Sequence, residues 1–481
     1  MTASDAPTMG VEEEFFLIDP ATRAPQPAGA GVVARAASDL GDQISGEFGR
    51  CQVEVKTRPC IDTERLRFEL ARLRTTAAAA AAAEGVRLCA SGTPVLSGCG
   101  PPAVGDHPRY RAGVAQYRGM LDDFLVCSLH VHVHLPDREL AVRVGNHLRP
   151  WLPLLVAVSA NSPFHQGNDT GYADWRAIIR SRFPCLGPPP YAESLSHHEE
   201  LATAVADSGA MLDAVTPFWD IRPNPRLPTV EIRSMDVVTD VDDSVALAAL
   251  VRALVVTVTA KALAGDPGPR SSSEVLRAAY WRAARDGWSG CGVDPLTGQI
   301  LPTSAQTARL LDYVGSALQR HGDTEAVHKF EGRLTARGDH QYVAPRGPRR
   351  VTRPNRRHAV QGAAIIAEKQ GAWLVQRGRE HAPARHVDHG TFTAKGVAPA
   401  DHQRRDERDA VAVQALGRRL ALIVGRGEDT ERRHLRAPLG RIIQCRREPA
   451  QQLQNSLQQW VFREGVGQRL EVAVLLDVER V

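Results

Sequence analysis

Three consecutive glutamates run into an apolar stretch near the amino terminus, Gly10-Val11-Glu12-Glu13-Glu14-Phe15-Phe16-Leu17-Ile18-Asp19, and Asp19-Pro20 closes it with a turn signal. The segment reads as a β-strand with side chains alternating between faces, so Glu12 and Glu14 share one face and Glu13 takes the other. Two carboxylates about 6 to 7 Å apart on one strand face repel unless a cation or an arginine lies between them. A hard divalent cation such as magnesium is usually held that way. Alone, an acid triplet is most often solvated surface, so its meaning depends on what the rest of the chain brings to it.

Gly46 to Thr57 reads as a second strand, with Gln52, Glu54 and Lys56 on one face and Val53 and Val55 on the other. A glutamate between valines either faces solvent at a sheet edge or is held by a cation inside the fold. Asp62 is placed to cap a helix from Thr63 to about Glu84, where Leu66, Leu70 and Leu73 recur at helical spacing, and Gly85 ends it. A short strand over Val86–Ala90 and a helix from about Arg109 to Phe124 follow. From Cys127 to Asp137 the alternation is strict, setting His130, His132 and His134 against Leu129, Val131 and Val133. The outer two histidines stand about 13 Å apart at strand spacing, too far for one tetrahedral ion, so one or two functional histidines are expected. A pocket lined by neutral imidazoles is the alternative.

Leu148 to Asn161 reads as an apolar helix closed by Ser162-Pro163, and 164–171 as a polar loop reaching a site. Arg176, Arg180 and Arg182 share a further helix, either as a solvated face or as anion binders. Pro228 to Asp236 reads as a strand with Glu231, Arg233 and Met235 on one face and Val230 and Ile232 on the other. Glu231 and Arg233 form either a surface ion pair or a metal ligand beside a phosphate-gripping fork. Arg233 and Arg176 are the candidates for binding an anionic cofactor. An alanine-rich helix over 243–264 backs this strand, with later helices at 273–284 and 305–320 and a turn at 294–298.

No basic segment leads into an apolar core at the start, and no run of about 18 uninterrupted apolar residues follows, so a cytoplasmic location is expected. The eight cysteines include no Cys-x-x-Cys pair and read as reduced, buried small residues. A net charge of +4 is too small to argue for nucleic acid. The chain has neither a Gly-x-x-x-x-Gly-Lys-Ser/Thr phosphate loop nor a convincing Ser-His-Asp arrangement, so any nucleotide must be held by metals, arginines and strand backbone.

Gly-x-Glu-x-Glu at 10–14, Glu47 seven residues before Glu54, His-Val-His-Val at 130–133, Ser-Ala-Asn-Ser-Pro-Phe at 159–164, Asp-Thr-Gly at 169–171 and Glu-Ile-Arg-Ser-Met-Asp at 231–236 occur in one order. Together, over about residues 9–335, they resemble glutamate-cysteine ligase type 2, a family of carboxylate-amine ligases. The resemblance implies an α+β fold like that of glutamine synthetase, a curved antiparallel sheet with helices on its outer face. It implies ATP and Mg2+ as cofactors and small-molecule substrates. Glutamate's γ-carboxylate would be joined through an acyl phosphate to an amine, expected to be cysteine, as in thiol biosynthesis of the glutathione type. By position, Glu12, Glu14, Glu47, Glu54, His130 and Glu231 are the implied metal shell, and Arg233 the implied phosphate-binding residue. Glu54 and Arg233 are the residues on which catalysis would rest. His134 stands where the family has glycine, Asp174 where it has serine, and the turn at Ser91–Pro94 lacks a histidine common in relatives.

From about Gly338 arginine, histidine and glutamine become dense, and 346–357 has no apolar period. Residues 9–337 are therefore expected to form the catalytic domain. Residues 338–481 would be a basic, poorly ordered extension or a frame-shifted product in preference to an accessory domain of unrecognised fold, with weak signals for a helix at 407–424 and a strand at 470–476. The extension lacks the interleaved aromatics of a nucleic-acid arm, no membrane partner is indicated, and a homodimer is compatible with the reading. Two rival readings remain at this stage: a metal-dependent hydrolase or amidase built on the histidine face, and a non-catalytic binder that keeps the ligase fold.

Overall fold

The structure is a computed structural model that describes residues 6–96, 98 and 100–337; the expectations for 338–481 lie outside the described residues. The glutamate strand is β1, Met9–Ile18, and it sits near the middle of the main sheet. Its odd residues Met9, Val11, Phe15 and Leu17 are fully buried on one side, while Glu12 and Glu14 lie on the other. Helix α1, Gly29–Leu40, not anticipated from sequence, leads to β2, Ile44–Gly46, and β3, Gln52–Lys56. The single strand expected over 46–57 is thus a hairpin, with Ser45 opposite Glu54 and Glu47 in the connecting turn.

Asp62 accepts a hydrogen bond from Arg65 N and starts α2, Thr63–Ala83, as expected; Gly85, at φ 74°, supplies the left-handed turn out of it. Short β4, Arg87–Cys89, pairs with the end of β1. Helix α3, Pro108–Tyr117, is shorter than the sequence suggested, because the chain reverses at Arg118 and continues as one 3-10 turn. Strand β5, Ser128–His134, follows, and Asp137 then caps α4, Arg138–Leu148, a helix not anticipated from sequence. The apolar helix expected over 148–161 is only α5, Leu152–Ser159, since Arg149–Trp151 forms a separate 3-10 turn.

A small hairpin of β6, Phe164–His165, and β7, Asn168–Asp169, occupies the expected polar loop and leads to α6, Trp175–Ser181, and α7, Leu195–Asp207. Strands β8, Ile221–Pro223, and β9, Thr229–Asp236, complete the sheet in the order β2-β3-β1-β5-β9-β8. Every pairing in it is antiparallel. Helices α8, Val241–Leu263, α9, Ser273–Asp286, α10, Thr303–His321, and α11, Thr324–Arg337, follow, with the hairpin of β10, Cys291–Val293, and β11, Ile300–Pro302, between α9 and α10.

One expectation for β9 is overturned. Leu129 pairs with Met235 but Val131 pairs with Ile232, so β9 carries an extra residue that β5 lacks. That β-bulge reverses the alternation after Arg233. Met235 therefore joins Val230 and Ile232 in the apolar core instead of sharing a face with Glu231 and Arg233.

Helices α2, α4, α5 and α8 pack on the apolar face of the sheet. Helix α8 is long and apolar enough to cross a membrane, but most of it is buried against the sheet, α2, α4, α10 and α11, as a core helix. The α+β class, with helices backing an antiparallel sheet, is as the sequence implied. Cys51, Cys60, Cys89, Cys127, Cys185 and Cys291 are free thiols, the first five buried.

Candidate active site

Strand register assembles the site. Antiparallel pairing sets Glu14 opposite Glu54 and Glu12 opposite His130. On the next pair of strands His132 lies opposite Glu231, and Glu231 opposite Arg222. Because side chains alternate with period two, these residues all project from the face opposite the helices. Glu47, from the β2–β3 turn, closes the group.

The ligand atoms form three overlapping triads: Glu12, His132 and Glu231; Glu12, Glu54 and His130; and Glu14, Glu47 and Glu54, each within 4.8 Å. All six residues of the implied metal shell are thus brought together, with His132 added. His134 is exposed at the end of β5, outside the triads. His130 Nδ1 lies 3.2 Å from Glu12 Oε2 and its Nε2 3.8 Å from Glu14 Oε1. His132 Nδ1 bonds to Thr229 Oγ1 at 3.1 Å, while its Nε2 lies 3.5 Å from Glu12 Oε1.

Five carboxylates in one buried cleft perturb one another. Burial, then Glu12 and Glu47, raises the Glu54 carboxyl well above its ordinary range. Burial and Glu14 push Glu47 up to about 7. Glu12 is lowered despite its burial, through its hydrogen bond to His130 and the nearby imidazole of His132. Burial lowers the His130 imidazole, with Arg233 adding to the effect. Glu231 is likewise held low against burial by Arg233 and Arg222.

The cations in the site are particular. Lys56 Nζ reaches Glu54 Oε2 at 2.6 Å. Arg222 binds both Glu231 oxygens, at 2.8 and 3.1 Å, Asn224 adds a bond at 2.8 Å, and Arg233 pairs with the same carboxylate. Arg222 had no motif to mark it; its place before Pro223, which favours extended backbone, was the one available hint. Arg176, the second cofactor candidate, lies beneath the site. It is fully buried, and its guanidinium donates to the carbonyls of Ser234 and Arg233 and to Ser128 Oγ at 2.7 to 3.0 Å. Arg180, one turn along α6, instead lines the cavity beside the cluster, with Arg109 and Arg233.

Asp174 caps α6 by accepting from Ala177 N at 2.7 Å and faces Asp236 in the buried interior. Asp236 in turn sits so near Gly92 that a Cβ there would meet its Oδ1 at 2.4 Å, which explains the glycine.

The donor set fits a hard cation, since it is rich in carboxylate oxygen. Two buried imidazole nitrogens, His130 Nε2 and His132 Nε2, have no hydrogen-bond partner among the described residues. Arg233 Nε is likewise buried and unpartnered there, a donor suited to an anionic oxygen.

The profile of glutamate-cysteine ligase family 2 matches residues 8–341. A protein of Nocardia farcinica named "Putative glutamate–cysteine ligase 2-1" is 44% identical over 372 residues, covering 77% of this chain and 94% of its own. One of Salinispora arenicola, "Putative glutamate–cysteine ligase 2", is 44% identical over 342 residues, covering 70% and 90%. The crystal structure of a glutamate–cysteine ligase from Francisella tularensis in complex with AMP shares the fold, with a TM-score of 0.52 at 11% identity over 69% of this chain and 83% of that one.

Proposed function

Because the chain belongs to glutamate-cysteine ligase family 2, we propose that it is an ATP-dependent carboxylate-amine ligase joining the γ-carboxylate of glutamate to an amine. The observation that carries this reading is the set of three overlapping triads drawn from four antiparallel strands and the β2–β3 turn. Residues 9–337 form the catalytic unit in this reading, which the matched span of 8–341 supports.

Glu12, Glu14, Glu47, Glu54, His130 and Glu231, with His132, would hold Mg2+. Bound there, Mg2+ supplies the charge neutralisation that a triphosphate and a second carboxylate need in order to approach. The chain's own residues do the positioning. Ser128 N donates to Glu14 Oε2 at 2.8 Å and Lys56 holds Glu54, so the carboxylates keep fixed orientations without substrate. Thr229 fixes the ring of His132, as a partner behind a ligating histidine does. Arg233, tethered to Glu231, turns its remaining donors to the transferring phosphoryl group.

The glutamate carboxylate oxygen attacks the γ-phosphorus and ADP leaves; the neutral amine nitrogen then attacks the acyl carbon, the C–O bond to phosphate breaks, and the departing inorganic phosphate carries away the proton that the amine gives up. No protein nucleophile is required, in keeping with a site made of anchored charges.

The test is ADP release by purified protein with Mg2+ and ATP, with and without glutamate, across a panel of amines that includes cysteine. Glutamate- and amine-dependent release is expected, reduced at least a hundredfold in Glu54→Ala and in Arg233→Ala. Absence of ADP release with every pair overturns the assignment, and turnover of an amide without nucleotide replaces it with hydrolysis.

A further inference from the structure

A cavity of about 170 Å³ opens from the acid cluster. Glu14, Glu47 and Arg233 lie at its end on the cluster, and six rings line the remainder: Phe48, Tyr110, Tyr117, Phe124, Phe183 and Phe218. The rings hold one another in place. Phe48 meets Tyr110 and Phe124 edge to face at centroid distances of 5.8 and 6.0 Å. Phe183 meets Phe124 at 4.9 Å and Tyr117 at 5.4 Å. A wall so interlocked is pre-organised, and a ligand filling it orders few side chains on binding.

Four polar groups of the wall, on Gln52, Tyr117, Arg109 and Arg180, are engaged with protein partners. Gln52 accepts from Gly49 N at 3.0 Å and donates to Val126 O at 2.7 Å. The Tyr117 hydroxyl donates to Ala210 O at 3.3 Å. Arg109 pairs with Asp213 and lies 5.3 Å from the Phe218 centroid, and Arg180 pairs with Asp220. A purine is read through hydrogen bonds along its edge, which these engaged groups do not offer. An apolar ring needs shape and rings around it, and the chamber offers both.

We propose that this chamber takes the side chain of the amine substrate and selects a bulky, ring-bearing apolar group, so that the acceptor is an aromatic amine or amino acid and not cysteine. The inference rests on the ligase reading above. The amine nitrogen sits at the carboxylate end, where the acyl group is formed, and the ring points away from the charges. The side chain of cysteine buries little area and leaves most of the ring-lined volume unfilled, whereas a phenyl group fills it.

The test compares phenethylamine and L-phenylalanine with L-cysteine on the full chain. Saturation-transfer NMR is expected to show phenethylamine bound, displaced by L-phenylalanine and not by adenosine. The kcat/KM for ADP release with glutamate is expected to be at least tenfold higher for the ring-bearing amines than for cysteine. Gly113→Phe enters the chamber from α3, where an added Cβ meets only Leu212 and Tyr117 side-chain atoms at 3.9 Å, and is expected to weaken phenethylamine binding at least tenfold. Leu212→Trp does the same from a different segment, with circular dichroism as the check that each variant folds. Cysteine used as well as the ring-bearing amines overturns the inference and leaves the ligase standing. Displacement by adenosine, or no binding of phenethylamine, also overturns it. Binding lost in Gly113→Phe with no ADP release from any pair keeps the chamber's ligand class and removes the ligation chemistry.

Discussion

Glu12, Glu13 and Glu14 are chemically one residue repeated, and their fates diverge through the partner each strand face supplies. Glu13 points at the helices and is fully buried, where Arg74 grips both its oxygens at 2.6 and 2.7 Å and Ser244 Oγ donates at 2.6 Å. Arg74 also donates to the carbonyls of Val238 and Thr239, so one charge pair ties β1 to α2 and to the start of α8. Removing one partner leaves a buried charge unpaired. Arg74→Met is expected to cost about 3 to 5 kcal/mol in urea unfolding, and the double variant Glu13→Leu/Arg74→Met should recover more than half of that. A single variant within 1 kcal/mol of the parent would show that this buried pair does not hold the strand to the helices. The assignment of Glu13 to its own face was legible from alternation alone. Its partner was not, because the two residues are brought together by packing between a strand and a helix.

At the scale of elements, local chemistry was read well where it acts locally. Asp62 caps α2 where expected, and Asp62→Ala should lower stability by about 1 kcal/mol, read as a shift in thermal midpoint with the unfolding slope unchanged. A neutral result would mean that tertiary contacts alone hold that helix end. Two elements were misread because pairing overrode pattern. The alternation from 46 to 57 hides a turn, since Glu47 leaves the sheet to reach Glu14 and Glu54 from a loop. The bulge in β9 is invisible to a period-two reading, yet it puts Arg233 on the site face and Met235 in the core three and five positions after Val230. Arg176 and Arg180 show the same limit on α6. Four residues apart, the first supports backbone carbonyls beneath the site and the second lines its cavity.

At the scale of the whole molecule, buried titratable groups away from the cluster make stability depend on pH. His198, on α7, packs edge to face on Trp219 at 5.1 Å, and burial, with Arg138 adding to it, holds its pKa at about 4. The unfolded chain therefore binds an extra proton between about pH 6.5 and 4. The stability contributed by neutral His198 is complete above that window and is lost as pH falls through it, by up to about 3 kcal/mol. His198→Phe should flatten this slope relative to the parent in denaturation at pH 7 and pH 4.5; equal slopes would show His198 already solvated.

The sequence by itself determined the glutamate and histidine strands with their two faces, and the family whose motifs imply the carboxylate set, because alternation and short motifs are properties of contiguous residues. Tertiary structure alone decided which arginine meets which acid, that His132 joins the cluster while His134 does not, and that six rings from separated segments enclose one chamber. The physical reason is register. Pairing between strands more than a hundred residues apart, and a single bulge within one of them, fix distances of a few ångströms that no local period encodes.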